Sequence, residues 1–414
     1  MTMKLHAPSR RELLCGSGTL FGWAFLPKLA FAEGRDPRFL AIVLRGALDG
    51  LATVAPVGDP DWIALRGDEA LIVGGKTPAL PLDDFFAVNP AMPHLHGMFH
   101  DGEAIVLHAC ATPYRERSHF DGQDLLESGL PNAGPSTSGW LNRALAGLAP
   151  GGSINPKGSR VFAVGPVTPL IARGPAPVLS WSPQRIMPAS EDTAARLLDL
   201  YRQSDLKLAS VLEDSAKLAA IEQSGNMEMA QKPGGPGPAQ IRAYFADAAG
   251  NAAKFLAQAD GPRVGALALD GWDTHVNEGI AQGRLSQLLG ALDEALNAIK
   301  INMGPAWSQT VVALATEFGR TARINGTDGT DHGTATVALL VGGALKGGRV
   351  LADWPGLKPA NLYENRDLKP TTDLRAALKG VLKDHLRIDE RALAQNVFRG
   401  SGGVKPMPGL VKAV

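Results

Sequence analysis

The sequence predicts an α/β fold in which a large, mostly parallel β-sheet is sandwiched between helices. Three observations support this. Six short β-rich runs are almost continuously apolar, as expected of strands buried on both faces. Stretches with helical periodicity lie between them, and such alternation argues for a sheet covered by helices. The third is composition: 48 Gly and 30 Pro in 414 residues supply many connecting loops.

In chain order, the strand candidates are Phe39–Leu44, Ala104–Leu107, Arg160–Val164, Val264–Leu269, Val311–Ala315 and Thr336–Val341. The helical candidates are Asp192–Ile221, Ala239–Ala259, Leu285–Ile299 and Thr371–Leu386. The last of these opens on Thr-Thr-Asp, a good cap. Gln231–Pro238 and Pro131–Ser138 are clusters of helix and strand breakers and read as loops. Residues 33–400 are expected to form one domain with a helical insertion near 180–260. The Gly/Pro-rich end, 401–414, is expected to be a flexible tail.

The first 32 residues read as a twin-arginine signal peptide. A basic start carries Lys4, Arg10 and Arg11, an apolar stretch runs from Leu13 to Leu26, and Ala30-Phe31-Ala32 offers a small-x-small cleavage site. Ser9-Arg10-Arg11-Glu12-Leu13-Leu14 places paired arginines just before the apolar core, the address read by the twin-arginine translocase. The expected destination is the periplasm or the extracellular space. The apolar run is too short and too rich in Gly and Ser for a membrane span, and no transmembrane segment is expected in the mature chain.

Cleavage would leave about 380 residues (414 less the first 32), enough for one large α/β unit. Of the two cysteines, Cys15 lies in the signal, so Cys110 alone remains and no internal disulfide can form. Forty-one basic and 41 acidic residues balance to zero net charge, and no basic stripe is present to bind nucleic acid.

Ligands of open parallel sheets gather at the carboxyl ends of strands. Those ends carry Arg45-Gly46-Ala47-Leu48-Asp49-Gly50, then His108-Ala109-Cys110 followed by Tyr114 to Asp121, Asp270-Gly271-Trp272-Asp273-Thr274-His275, and Thr316-Glu317-Phe318-Gly319-Arg320. A short loop then presents Gly329-Thr330-Asp331-His332-Gly333. Asp273 and His275 are two apart and share a face on extended backbone. Taken singly, Asp49-Gly50 reads as a turn, Asp273 as a helix cap and Asp331-His332 as a solvated turn. Together, Asp and His groups at the ends of distant strands argue for a divalent metal site. His94, His96 and His100 also have a spacing that permits ligation, although their stretch after Asn89-Pro90 reads as an ordinary helix.

The strings Arg45-Gly46-Ala47-Leu48-Asp49-Gly50, Ser118-His119-Phe120-Asp121, Gly139-Trp140-Leu141-Asn142-Arg143, Gly271 to His275, Glu317 to Arg320 and Gly329 to Gly333, in this order, resemble the DUF1501 family across nearly the whole mature chain. The resemblance implies the fold of the alkaline phosphatase and sulfatase superfamily. It implies metal ligation by Asp49, by Asp273 with His275, and by Asp331 with His332. Ser118 best matches the superfamily's helix-start nucleophile. Glu317-Phe318 stands where an Asp-His pair is expected, which retains a carboxylate but lacks the imidazole.

Arg115, Arg117 and Arg320 are candidates for holding the oxygens of a small anionic substrate, since a guanidinium offers a planar fork. Surface salt bridging is the competing reading for each. His119 could be a ligand, a base or a histidine packed at a helix start. The implied function is a metal-dependent hydrolase of phosphate or sulfate esters, with zinc, manganese, calcium or magnesium as the ion. The alternative is an exported, non-catalytic binding protein that keeps the fold. A weaker third reading pairs Glu317 with Asp273 as the carboxylates of a sugar- or peptidoglycan-active enzyme.

Overall fold

The structure, a computed structural model, describes residues 35–74, 76–147, 161–165, 167–181, 237–259 and 261–413. The segment read as a signal peptide, Asp192–Ile221 and most of the expected insertion lie outside the described residues.

Among the described residues there are twelve strands: β1 (Arg38–Arg45), β2 (Val54–Ala55), β3 (Leu80–Pro81), β4 (Ala87–Val88), β5 (Ala104–Ala111), β6 (Val161–Val164), β7 (Val178–Trp181), β8 (Val264–Asp270), β9 (Thr310–Ala315), β10 (Thr336–Val341), β11 (Arg349–Leu351) and β12 (Thr372–Asp373). Nine of them form one sheet in the order β11-β5-β10-β9-β1-β8-β6-β7, with β12 also paired to β5. The remaining three form a small sheet, β2-β4-β3. All pairings in the large sheet are parallel except those of β10, which runs antiparallel to both β5 and β9. The start of β10 therefore lies at the edge where β1, β5, β8 and β9 end.

Alternation along the strands builds two cores, because successive side chains point to opposite faces. Leu40, Ile42 and Leu44 of β1 join Val312 and Leu314 of β9 in one core. Phe39, Ala41 and Val43 join Val311 and Ala313 in the other. Helices α3 (Pro93–His100), α6 (Pro238–Ala257) and α7 (Arg284–Met303) contribute to the first core. Helices α5 (Trp140–Ala146) and α8 (Leu374–Leu386) contribute to the second. The short α1 (Gly50–Thr53), α2 (Trp62–Arg66) and α4 (His119–Ser128) lie in the connections nearest the carboxyl edge. No helix among the described residues is long and apolar enough to cross a membrane.

Two expectations need correction. The C-terminal segment is not a loose tail. Lys379 Nζ donates to the carbonyls of Ser401 and Val404, the backbone of Lys346 and Lys412 ties residues 344–346 to 410–412, and Leu410 is fully buried. Asp49 is not presented for metal ligation. One oxygen caps α1 by accepting from the Leu51 and Ala52 amides, and both oxygens face the Arg66 guanidinium at 2.7 and 3.1 Å in a fully buried pair. Removing one partner of such a pair strands the other's charge. Asp49→Ala is accordingly expected to lower unfolding free energy by about 3–5 kcal/mol in urea titration. The paired replacement D49N/R66M should be less costly than the sum of the two single changes.

Two buried histidines make stability depend on pH. His108 Nε2 donates to the Val54 carbonyl and His385 Nε2 to the Arg38 carbonyl, each at 2.9 Å. Burial pushes both down to about 4 from an ordinary 6.5. The unfolded chain therefore binds protons that the native state refuses as pH falls from about 6.5 to 4, so each histidine lowers stability by up to about 1.4 kcal/mol per pH unit in that window. Urea midpoints should fall on acidification, and His385→Gln should flatten that slope relative to wild type.

Candidate metal centre

Four side chains meet at the carboxyl edge of the sheet. His119 is the first residue of α4, which follows β5. Asp273 and His275 lie just after β8. His332 lies just before β10 and reaches the same edge because that strand is inverted. The Nε2 atoms of His119 and His332 are 2.9 Å apart, as are those of His275 and His332. The Asp273 carboxylate lies 3.0 Å from His275 Nε2, 3.4 Å from His332 Nε2 and 3.5 Å from His119 Nε2. Donor atoms of His119, Asp273 and His332 fall within 4.8 Å of one another, close enough to share one ion.

Each ring is held from behind through its other nitrogen. His119 Nδ1 donates to Glu317 Oε1 at 2.8 Å, and His332 Nδ1 donates to the Arg117 carbonyl at 2.9 Å. His275 Nδ1 faces Asp331 Oδ1 at 3.3 Å. A proton fixed on Nδ1 leaves a lone pair on Nε2 in the neutral ring, the tautomer that ligates a metal. The three Nε2 atoms then point lone pairs at one another. A single proton placed between His332 Nε2 and one neighbour bridges only one of its two 2.9 Å contacts. A shared cation satisfies every contact at once.

The supporting residues are buried and fully engaged. Glu317 Oε1 accepts from the Gly46 amide, His119 and Gln123, and Oε2 accepts from the Thr316 hydroxyl. Burial alone would raise this carboxyl, but the hydrogen bonds from His119, its own backbone, Gln123 and Thr316 outweigh it and hold it below the usual range. The Glu317 hydrogen bond in turn raises His119 against burial, whereas burial lowers His332. Asp273 is pushed up by burial but brought below its ordinary value by Arg320, His275 and His119. Arg320 is itself buried, with Nη1 on Asp273 at 2.6 Å and Nε on the Thr330 hydroxyl at 3.1 Å. The Thr330 hydroxyl in turn donates a hydrogen bond to Glu278, a buried acid that burial and the nearby Asp49 raise to about 7.

Backbone geometry makes the meeting possible. Gly46, at φ +120°, lets the end of β1 pass beneath the 272–273 peptide, where a Cβ would come within 2.6 Å of the Asp273 nitrogen. Arg117 takes a left-handed φ of 61° that no glycine relieves, and its carbonyl is the one that fixes His332. Its guanidinium is tied to Glu364 and Asp367.

The structure thus brings Asp273, His275 and His332 together and adds His119, which sequence reasoning left open between ligand, base and packed residue. Its position at a helix start after a strand was the available signal. Glu317 and Asp331 lie one step behind, on the Nδ1 atoms of His119 and His275. Ser118 is the N-cap residue of α4, but its side chain makes no capping hydrogen bond, and its amide donates to the Tyr114 hydroxyl. Arg115 folds back onto the carbonyls of Thr112 and Tyr114.

Three comparisons with known proteins give the following similarities. The solved structure of Ps i-CgsB in complex with k-i-k-neocarrahexaose is 9% identical, with a TM-score of 0.42, covering 91% of this chain and 78% of that one. A protein in the alkaline phosphatase superfamily from Vibrio parahaemolyticus is 14% identical at TM-score 0.31, covering 77% and 65%. The PsFucS1 sulfatase from Pseudoalteromonas sp. is 13% identical at TM-score 0.34, covering 83% and 68%. No curated protein matches the chain. The family model described as "Protein of unknown function (DUF1501)" matches residues 37–398, and the chain belongs to that family.

Proposed function

We propose that this protein is an exported, metal-dependent hydrolase of phosphate or sulfate esters, with His119, Asp273, His275 and His332 as the metal ligands. The observation that carries the reading is the convergence of three imidazole Nε2 atoms, each ring fixed through Nδ1, on one carboxylate. Three nitrogens and one carboxylate form a donor set suited to zinc or manganese. Calcium and magnesium favour all-oxygen cages. A divalent ion bound there would lower the pKa of a water or hydroxyl and stabilise charge on an ester oxygen.

The protein's own residues divide the remaining work. Glu317, Asp331 and the Arg117 carbonyl fix ring orientation, and Arg320 fixes the Asp273 carboxylate. Ser118, at the start of α4 and free of a capping bond, is the proposed nucleophile. Export through the twin-arginine route, read from Ser9 to Leu14, belongs to the same proposal and suits a site that only the finished fold assembles.

A non-catalytic binding protein is the competing reading. It draws on the internal engagement of Arg115 and Arg320, which are tied to protein oxygens rather than offered to a substrate.

Metal analysis of protein purified without chelators is expected to find one equivalent of zinc or manganese in wild type and a substoichiometric amount in His332→Ala. Activity toward aryl phosphate or aryl sulfate should be lost on chelation and regained on adding the ion back. A wild type with no tightly bound ion and no response to added ions contradicts the proposal; bound metal without turnover of either ester favours the binding reading. Glu317→Gln removes the charge behind His119 and should weaken metal affinity by about 10–100-fold, measured by competition with a chromophoric chelator.

A further inference from the structure

The loop-helix junction around α3 carries a second group of convergent donors, on residues separate from the centre described above. His96 and His100 are four apart, so one helical turn stacks them on the same face. Their Nε2 atoms are 3.1 Å apart, and both reach the main-chain carbonyl oxygen of Pro81, at 2.9 Å from His96 and 3.2 Å from His100. The rings meet edge to face with centroids 4.5 Å apart. His100 and Pro81 are exposed and His96 is partly so, which leaves the outer side of this triangle open to water.

The three donors are held in place independently. Helix α3 is anchored at its start, where the Asp293 carboxylate accepts from the amides of His94 and Leu95, and Leu95, Met98 and Phe99 are buried in the core. Pro81 lies in β3, paired with Ala87 of β4, and the Leu82 amide beside it donates to the Phe86 carbonyl.

We propose that His96, His100 and the Pro81 carbonyl form a surface binding site for a late first-row divalent cation, copper(II) or nickel(II) above all. Neighbouring ligands of an ion with bonds of about 2.1 Å lie roughly 3 Å apart, which is the side length of this triangle. Two imidazoles and a carbonyl oxygen form the N,O set that a tetragonal copper or nickel ion prefers, and water can complete the coordination from the open side. The buried Cys110 offers no competing thiolate at the surface.

The test is a copper(II) titration of the full chain, followed by electron paramagnetic resonance and by competition with glycine. Wild type and His332→Ala should both show a copper signal with nitrogen hyperfine structure from two imidazoles. That two-imidazole component should vanish in H96A/H100A, whose remaining copper signal belongs to the His119–His332 centre. His100→Ala alone should weaken the site at least about tenfold, equivalent to ~1.4 kcal/mol. Because His332→Ala disables only the other centre, failure of one site does not mimic failure of the other. The proposal is overturned if H96A/H100A binds as many copper ions as wild type with the same spectrum, or if modest glycine strips the wild-type ion at these residues. Circular dichroism of H96A/H100A should match wild type, since both side chains lie outside the core.

Discussion

The architecture of this protein turns on the contact between the Nε2 atoms of His119, His275 and His332. As neutral rings, three imidazoles that give their Nδ1 protons to oxygens present lone pairs to each other, and at 2.9 Å that arrangement is unfavourable without a proton or a metal ion between them. Much of the carboxyl edge serves to hold this contact. Glu317 gathers the β1 turn, α4 and β9 onto one carboxylate, and Arg320 clamps Asp273. Arg117 accepts a left-handed backbone to aim its carbonyl at His332.

Behind these four side chains lies a layer of buried charge. Arg320, Thr330 and Glu278 form a continuous chain, with the Asp49–Arg66 pair close by. Buried ionic groups contribute little net stability compared with well-packed apolar side chains. Their value here is positional: Asp273 cannot rotate without breaking its contact with a guanidinium that is itself fixed on Thr330. Stability comes instead from the two apolar cores, which the alternating faces of β1, β8, β9 and β10 fill from opposite sides.

Six strands of the large sheet, β1, β5, β6, β8, β9 and β10, were legible because burial on both faces leaves an unbroken apolar run, and Thr336–Val341 is matched residue for residue, whereas the short or more exposed β2, β3, β4, β7, β11 and β12 were not. Their ends were less so. β5 continues to Ala111 through His108 and through Ala109 at φ 51°, where polarity and an irregular pairing hide the strand. The direction of β10 leaves no trace in composition, and that direction delivers His332 to the site. Asp273 and His275 were readable as a pair on one extended segment. Asp49 was misplaced because its partner Arg66 is 17 residues on, and an ion pair with no local motif cannot be seen in the chain. The tail was misjudged for a similar reason: its Gly and Pro content says nothing of the buried Lys379 that captures it.

Anomalous diffraction from crystals of the purified chain, grown without chelators and measured on either side of the zinc and manganese edges, tests the central claim most directly. The account predicts one peak about 2.0–2.3 Å from Nε2 of His119, His275 and His332 and from an oxygen of Asp273. No peak there, with the three rings turned apart, would contradict it.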